Sequence, residues 1–180
     1  MSLPWGSSPG IVLLAPVTTV AQAAAAAAAG AALVDAGRDG ALVPAIRGAV
    51  RGVRICCQHE AADLVRDADL AARSGAALIC PGPDAAAAAV QRGVAAERIL
   101  VQAAPAGIEP AVRAGWAVLA DLEAEDAAGR ARTEAVAAVC AWLGASVLRT
   151  LYVAEVRRCA DMTESILGRR PPAWAVRGLA

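Results

Sequence analysis

An α/β fold, a TIM-barrel-like parallel βα repeat shortened to about seven strands, is the class that this sequence of 180 residues predicts. Three observations predict it. Seven short β-branched or apolar runs each give way to an alanine-rich stretch of helical character, and serial β–α alternation builds parallel strands with helices outside. Six glycines, Gly30, Gly52, Gly75, Gly93, Gly115 and Gly144, each stand just past a helical stretch and just before a strand, where a left-handed helix C-terminus favours glycine. Seven strands also fall short of the eight strands and about 250 residues of a typical barrel, so either one βα unit is missing or the sheet stays open.

Residues 1–10 form an N-terminal extension, residues 11–167 the barrel-like domain and residues 168–180 a tail carrying Trp174, docked through it or disordered. The predicted strands are Ile11–Ala15, Ala32–Asp35, Val53–Cys57, Ala76–Cys80, Ile99–Gln102, Trp116–Ala120 and Ser146–Leu151, each bounded by Gly, Pro or polar residues. The predicted helices are Val20–Ala29, Val43–Val50, Ala61–Ser74, Asp84–Arg92, Glu109–Ala114, Ala127–Leu143 and Ala154–Leu167. The compressed region runs from Pro81 to Ile99, which places the missing unit there. Exposed strand edges need covering, and an oligomer is one way to cover them.

Seventeen arginines balance seventeen acids, with no lysine and no basic cluster or aromatic platform, which argues against a nucleic-acid partner. The longest apolar stretch, Val20 to Val34, holds Gln22 and Gly30 and is shorter than the roughly 20 residues of a bilayer span, which argues against a membrane role. The first ten residues lack a secretory signature, and five cysteines, two of them adjacent at Cys56 and Cys57, suit reduced thiols; both point to the cytoplasm. No CxxC spacing proposes a metal, and no cofactor is implied.

Parallel βα folds place ligands beyond the carboxyl ends of their strands, and few chemical groups stand there. His59, the sole histidine, is the natural candidate for proton transfer, with helix capping as the alternative. Asp35 is a second catalytic candidate, although Asp followed by Gly at one remove is also turn chemistry. Arg149 is delivered to a strand end by Ser146-Val147-Leu148, and a guanidinium there needs an anion or an internal partner such as Asp121 or Glu123. Arg38 joins it as a candidate anion ligand; Gln58, Gln102, Asp121 and Tyr152 complete the pocket. Asp121 and Glu123 also read as helix-start electrostatics. Cys57 near His59 reads as an inert thiol rather than a nucleophile, since strand neighbours face opposite ways and the two share a face only if the strand continues through Gln58.

The segment Gly10-Ile11-Val12-Leu13-Leu14-Ala15-Pro16 resembles the first strand of the dihydropteroate synthases, Gly-Ile-Val-Asn-Val-Thr-Pro. Leu33-Val34-Asp35-Ala36-Gly37 resembles their second strand, Ala95-Ala96-Glu97-Arg98-Ile99-Leu100 their Pro-Glu-Arg-Ile approach to a later one, and Gly144–Arg157 their last strand and helix. The resemblance covers most of the chain in order, with the stretch around the family's fifth strand apparently deleted. It implies a pterin-binding barrel of folate biosynthesis, yet the family's polar set is replaced. Leu13 stands for its metal-associated Asn, Gln58-His59 for Asp-Thr, Cys80-Pro81 for the fourth-strand Asn-Asp and Gln102 for the pterin-recognising Asp. Leu122-Glu123-Ala124-Glu125 stands for the Ser-Arg-Lys-Ser loop, and only Arg149 of the closing Arg-Val-His-Asp is kept.

Each unmatched donor in such a pocket costs about 1–3 kcal/mol, and several together abolish recognition. The expectation is therefore a degenerate, dihydropteroate-synthase-like pseudoenzyme, non-catalytic and acting as a binding or assembly partner. The alternative is an enzyme with a repurposed site for a small phosphorylated or carboxylated metabolite. A homodimer is expected through the two late helices, where Val136, Val139, Trp142 and Leu143 form one apolar stripe and Val156, Met162, Ile166 and Leu167 another, as the family pairs through its late helices. A further protein partner and a small anionic ligand are left open.

Overall fold

The computed structural model describes residues 10–170, the side chain of Ala124 excepted. Its elements in order are β1 (Val12–Pro16), α1 (Val20–Ala28), β2 (Leu33–Asp35), α2 (Leu42–Ala49), β3 (Arg54–Cys56), β4 (Leu64–Val65), α3 (Ala68–Ser74) and β5 (Ala77–Cys80). There follow α4 (Pro83–Gln91), β6 (Ile99–Gln102), α5 (Pro105–Arg113), β7 (Ala117–Asp121), α6 (Glu123–Ala128), α7 (Arg130–Trp142), β8 (Val147–Arg149) and α8 (Val153–Ile166). The eight strands close in sequence order into one parallel barrel. The predicted extension up to Ser8-Pro9 and the tail from Pro171 onward, with Trp174, lie outside the described residues.

The barrel has eight strands and is closed, and the additional one is β4, inside the stretch predicted as a single helix Ala61–Ser74. What is missing is the helix between β3 and β4, not a unit at Pro81–Ile99: residues 57–63 carry no helix, and Cys56 pairs directly with Leu64. Parallel connections ordinarily need a dozen or more residues. This one is fixed by Ile55 N donating to Asp63 Oδ2 at 2.8 Å and by Arg47, whose Nη2 donates to Ala61 O at 2.7 Å and pairs with Asp63 at 3.0 Å.

Local chemistry explains the helix ends. Thr19 caps α1 by accepting from Gln22 N at 3.1 Å, and Asp67 caps α3 by accepting from Leu70 N at 2.7 Å. Prolines open α4 and α5, where their missing N–H costs nothing. The six predicted cap glycines all adopt positive φ, from +75 at Gly75 to +102 at Gly30. The predicted helix Ala127–Leu143 is split, because Gly129 at φ +106 separates α6 from α7.

Parity along the strands divides the core in two. Ile11, Leu13, Ala15, Val34, Ile55, Cys57, Val65, Leu78 and Leu148 point outward under the helices. Val12, Leu14, Leu33, Cys56, Leu64, Ala77, Ile79, Leu100, Leu119 and Val147 fill the barrel interior. Alternate strands stack in layers, as a tilted eight-stranded barrel requires: Leu33, Leu64, Leu100 and Val147 come from the even strands, and Leu14, Cys56, Ile79 and Leu119 from the odd ones. Two residues further along each even strand stand Asp35, Arg66, Gln102 and Arg149, so the last inward layer at the carboxyl end is polar. No helix among the described residues is long and apolar enough to cross a membrane.

Candidate functional site

Closure of the barrel turns that last layer into a charge network. Arg149 and Asp35 lie 114 residues apart but flank the same strand, since β1 pairs Pro16 with Asp35 and Leu14 with Arg149. Arg149 Nε donates to Asp35 Oδ2 at 3.2 Å, while its Nη1 donates to Asp121 Oδ1 at 3.1 Å and to Glu123 Oε2 at 3.0 Å. Arg66 Nη2 reaches the same Asp35 Oδ2 at 3.0 Å, and Gly37 N donates to Oδ1 at 3.0 Å. Gln102 Nε2 donates to Asp121 Oδ2 at 3.4 Å, and Glu123 N to Asp121 Oδ1 at 3.1 Å. Burial pulls the Arg149 pKa down, but the charges of Asp121 and Asp35 and the hydrogen bonds to Asp121 and Glu123 outweigh it and hold the group above its ordinary value.

The loop that carries Arg149 is held from the side by Asp126 of α6. This buried carboxylate accepts from Thr150 Oγ1 at 2.8 Å and from Leu151 N at 2.6 Å, and Leu122 N donates to Arg149 O at 2.9 Å. Glu123, read from sequence with Asp121 as helix-start electrostatics, thus faces the arginine, while Asp126 of the same helix ties α6 to the end of β8.

A mouth cavity of about 400 Å³ is lined by Asp35, Gly37, Arg38, Gln58, Arg66, Asp121, Glu123 and Arg149. Of the sequence candidates, Asp35, Arg38, Gln58, Asp121 and Arg149 therefore converge, and Gln102 touches the cavity wall through Asp121. His59 and Tyr152 do not line it. The helix-free β3–β4 connection carries His59 aside: its Nδ1 accepts from Ala61 N at 3.1 Å, and the ring lies on Gly40, where an added Cβ would stand 2.6 Å from Cδ2. The contact closes a local turn away from the cavity, and with no helix in residues 57–63 the histidine caps none. Tyr152 packs on the outer core beneath Arg130, whose guanidinium carbon is 5.8 Å from the ring centroid.

Arg66 is the site residue that sequence reasoning missed. Its signal was present in Leu64-Val65-Arg66-Asp67, an apolar pair ending in a charge, but the strand is too short to show a period. Counted round the closed barrel, the fourth strand ends at Val65, so Arg66-Asp67 stands in the position assigned above to Cys80-Pro81. Cys80 belongs to β5. Asp67 is occupied as the cap of α3, and Arg66 brings a cation where the resemblance expects a neutral amide.

The thiols have no reactive setting. Cys56 faces the barrel interior, and burial, then the neighbouring Asp35, push it up to about 12; Cys57 is raised by burial and Asp35 under the outer helices. Among the described residues no group of three or more His, Cys, Asp or Glu is placed to hold a metal ion.

The fold and the mouth define a closed parallel βα barrel whose polar layer is neutralised from within. No protein-family model matches the chain. It is 34% identical over 115 residues to the inactive dihydropteroate synthase 2 of Mycobacterium tuberculosis and to that of Mycobacterium bovis, an overlap of 51% of this chain and 36% of the relative. The chain thus spans about a third of the length of the curated relatives it matches. The Mycobacterium tuberculosis structure Rv1207 superposes with a TM-score of 0.76 at 27% identity, covering 92% of this chain and 96% of that one. The dihydropteroate synthase of Yersinia pestis shares the fold, with a TM-score of 0.72 at 15% identity over 88% of this chain and 93% of that one. In fold and in sequence the chain is dihydropteroate-synthase-like.

Proposed function

We propose that this chain is a non-catalytic dihydropteroate-synthase-like protein that works as a binding or assembly partner. One observation carries the proposal: Arg149, the single residue kept from the resemblance's closing motif, spends its guanidinium on Asp35, Asp121 and Glu123 instead of facing an open phosphate site. Arg66, lying on the same Asp35 oxygen, adds a cation within the mouth. A substrate would have to break these charge-assisted contacts, each stronger than a neutral hydrogen bond. Titration with a 6-hydroxymethyl-7,8-dihydropterin pyrophosphate analogue, followed by assay with 4-aminobenzoate, tests it. No turnover is expected, and micromolar binding with product formation overturns the proposal. The alternative, a repurposed enzyme for a phosphorylated or carboxylated metabolite, finds support in Arg38, which lines the cavity without an ion-pair partner among the described residues; its proton-transfer candidate His59 lies outside the cavity, and Asp35, which lines it, is engaged by Arg66 and Arg149.

Assembly is proposed through α7 and α8, which pack on each other and leave Val139, Trp142, Met162 and Ile166 exposed. Val156 of the expected stripe is buried in the core, and Val136 and Leu143 are half-buried against it, so the usable apolar face is those four residues. A self-complementary pairing of this face is the two-fold dimer we propose, in the cytoplasm. Light scattering at micromolar concentration is expected to return twice the 18.0 kDa chain mass. A monomer refutes the dimer, and a dimer indifferent to Trp142→Glu refutes this face.

A further inference from the structure

The mouth cavity is neutral in sum and divided in sign. Arg38, Arg66 and Arg149 stand against Asp35, Asp121 and Glu123, three cations against three anions. Asp35, Asp121 and Arg149 are consumed by one another and by their neighbours; the valences left over lie on opposite walls.

The wall built by the ends of β2, β3 and β4 has donors to spare. Arg38 makes no hydrogen bond or ion pair among the described residues. Arg66 commits one Nη to Asp35, and its side chain stays 34% exposed with its other N–H groups free. Gln58 accepts from Arg66 N through Oε1 at 3.0 Å, which aligns its side chain and leaves its amide nitrogen as a donor. The facing wall, at the ends of β7 and β8, has one acceptor to spare. Both oxygens of Asp121 are taken by Arg149, Gln102 and Glu123 N, whereas Glu123 shares Oε2 with Arg149 and keeps Oε1 open, its side chain 76% exposed.

We propose that this cavity binds a small zwitterion of α-amino-acid type, its carboxylate on Arg38, Arg66 and Gln58 and its ammonium on Glu123. This deepens the binding role proposed above and rests on it. The physical reason is charge balance. A net anion adds one negative charge to a neutral cluster and meets Glu123; a net cation meets Arg38. A dipole adds no net charge and satisfies both walls. A carboxylate also matches the planar fork of a guanidinium, which an ammonium cannot do. The volume, about 400 Å³, lies at the small end of ligand cavities and suits a molecule of this size. Because the anchoring groups are exposed, affinity is expected to be weak, on the order of 0.1–1 mM.

The test uses the intact protein and a panel of the common L-amino acids with uncharged side chains, scored by thermal shift and by isothermal titration. For the best binder, the N-acetyl derivative, now a net anion, and the methyl ester, now a net cation, are each expected to bind at least about tenfold more weakly. Arg38→Gln and Glu123→Gln, both at exposed positions that the fold does not depend on, are each expected to weaken binding by a similar factor. Equal affinity of the N-acetyl form, equal affinity of the ester, or no binder in the panel each overturns the proposal. Pterin turnover would defeat the non-catalytic reading instead, and the ammonium and carboxylate dependence would show separately whether the zwitterion site stands.

Discussion

Arg149→Met removes the guanidinium that joins three carboxylates while keeping an unbranched chain to pack against the mouth. The three acids do not lose equally. Asp35, the most buried, retains Arg66 and Gly37 N; Glu123 is exposed and returns to water. Asp121, with 21% of its side chain exposed, keeps only Gln102 and the Glu123 amide and no cation. Breaking a buried pair from one side costs about 3–5 kcal/mol, and the compensation left to Asp35 places the expected loss lower, at about 2–3 kcal/mol. For a chain of this size that is a fall in Tm of about 5–10 °C. Urea unfolding with an unchanged m-value measures it. In double-mutant cycles the coupling of Arg149 with Asp121 is expected at about 1.5–3 kcal/mol, against less than about 1 kcal/mol with Glu123. A loss below about 1 kcal/mol, or equal couplings to both acids, refutes the reasoning that the mouth is neutralised from within.

The β–α order was legible because the outer helices need alanine-rich, periodic stretches and left-handed glycines between them, and both leave marks in the sequence. Closure was not, because β4 is two residues long, Leu64-Val65, and Asp63 and Arg66 on either side hide it inside an apparently helical run. With β4 hidden, Arg66 passes for a helix surface residue and the lost helix is sought in the wrong interval. The site was half legible for the same reason. Arg149 with Asp121 or Glu123 could be read from neighbouring strand ends, whereas Asp35 meets Arg149 only because β8 returns to β1. His59 drew attention as the single histidine; rarity in a composition says nothing about direction, and a connection without a helix carries it to the rim.

Three further perturbations test the scaffold around this site. Gly10→Ala is expected to cost about 2 kcal/mol in thermal unfolding, because φ at Gly10 is +123 and the new Cβ would stand 2.9 Å from Oε2 of Glu164, a buried carboxylate already accepting from Ile11 N at 3.0 Å; an unchanged Tm refutes the clamp. Asp126→Ala strips the partners of Thr150 Oγ1 and Leu151 N, with an expected loss of about 2–3 kcal/mol and faster hydrogen exchange at Leu151; unaltered exchange there refutes its role in holding the β8–α8 loop. The last concerns alkaline pH. Cys56 is raised from 9.0 to about 12 by burial first and by Asp35 second, so between those values the folded chain keeps a proton that the unfolded chain has released. Stability from this group is therefore complete below pH 9 and is lost as pH rises toward 12, with a slope of about 1.4 kcal/mol per pH unit. Cys140, raised to about 11 by burial, contributes in the same direction, so the wild-type slope alone cannot isolate Cys56. The difference between wild type and Cys56→Ala can: the wild-type advantage from packing is expected to be constant up to about pH 8.5 and to shrink above it, approaching that slope by about pH 10. A difference that stays flat across this range means that the thiol ionises as it does in water and that Asp35 and the barrel interior do not enclose it.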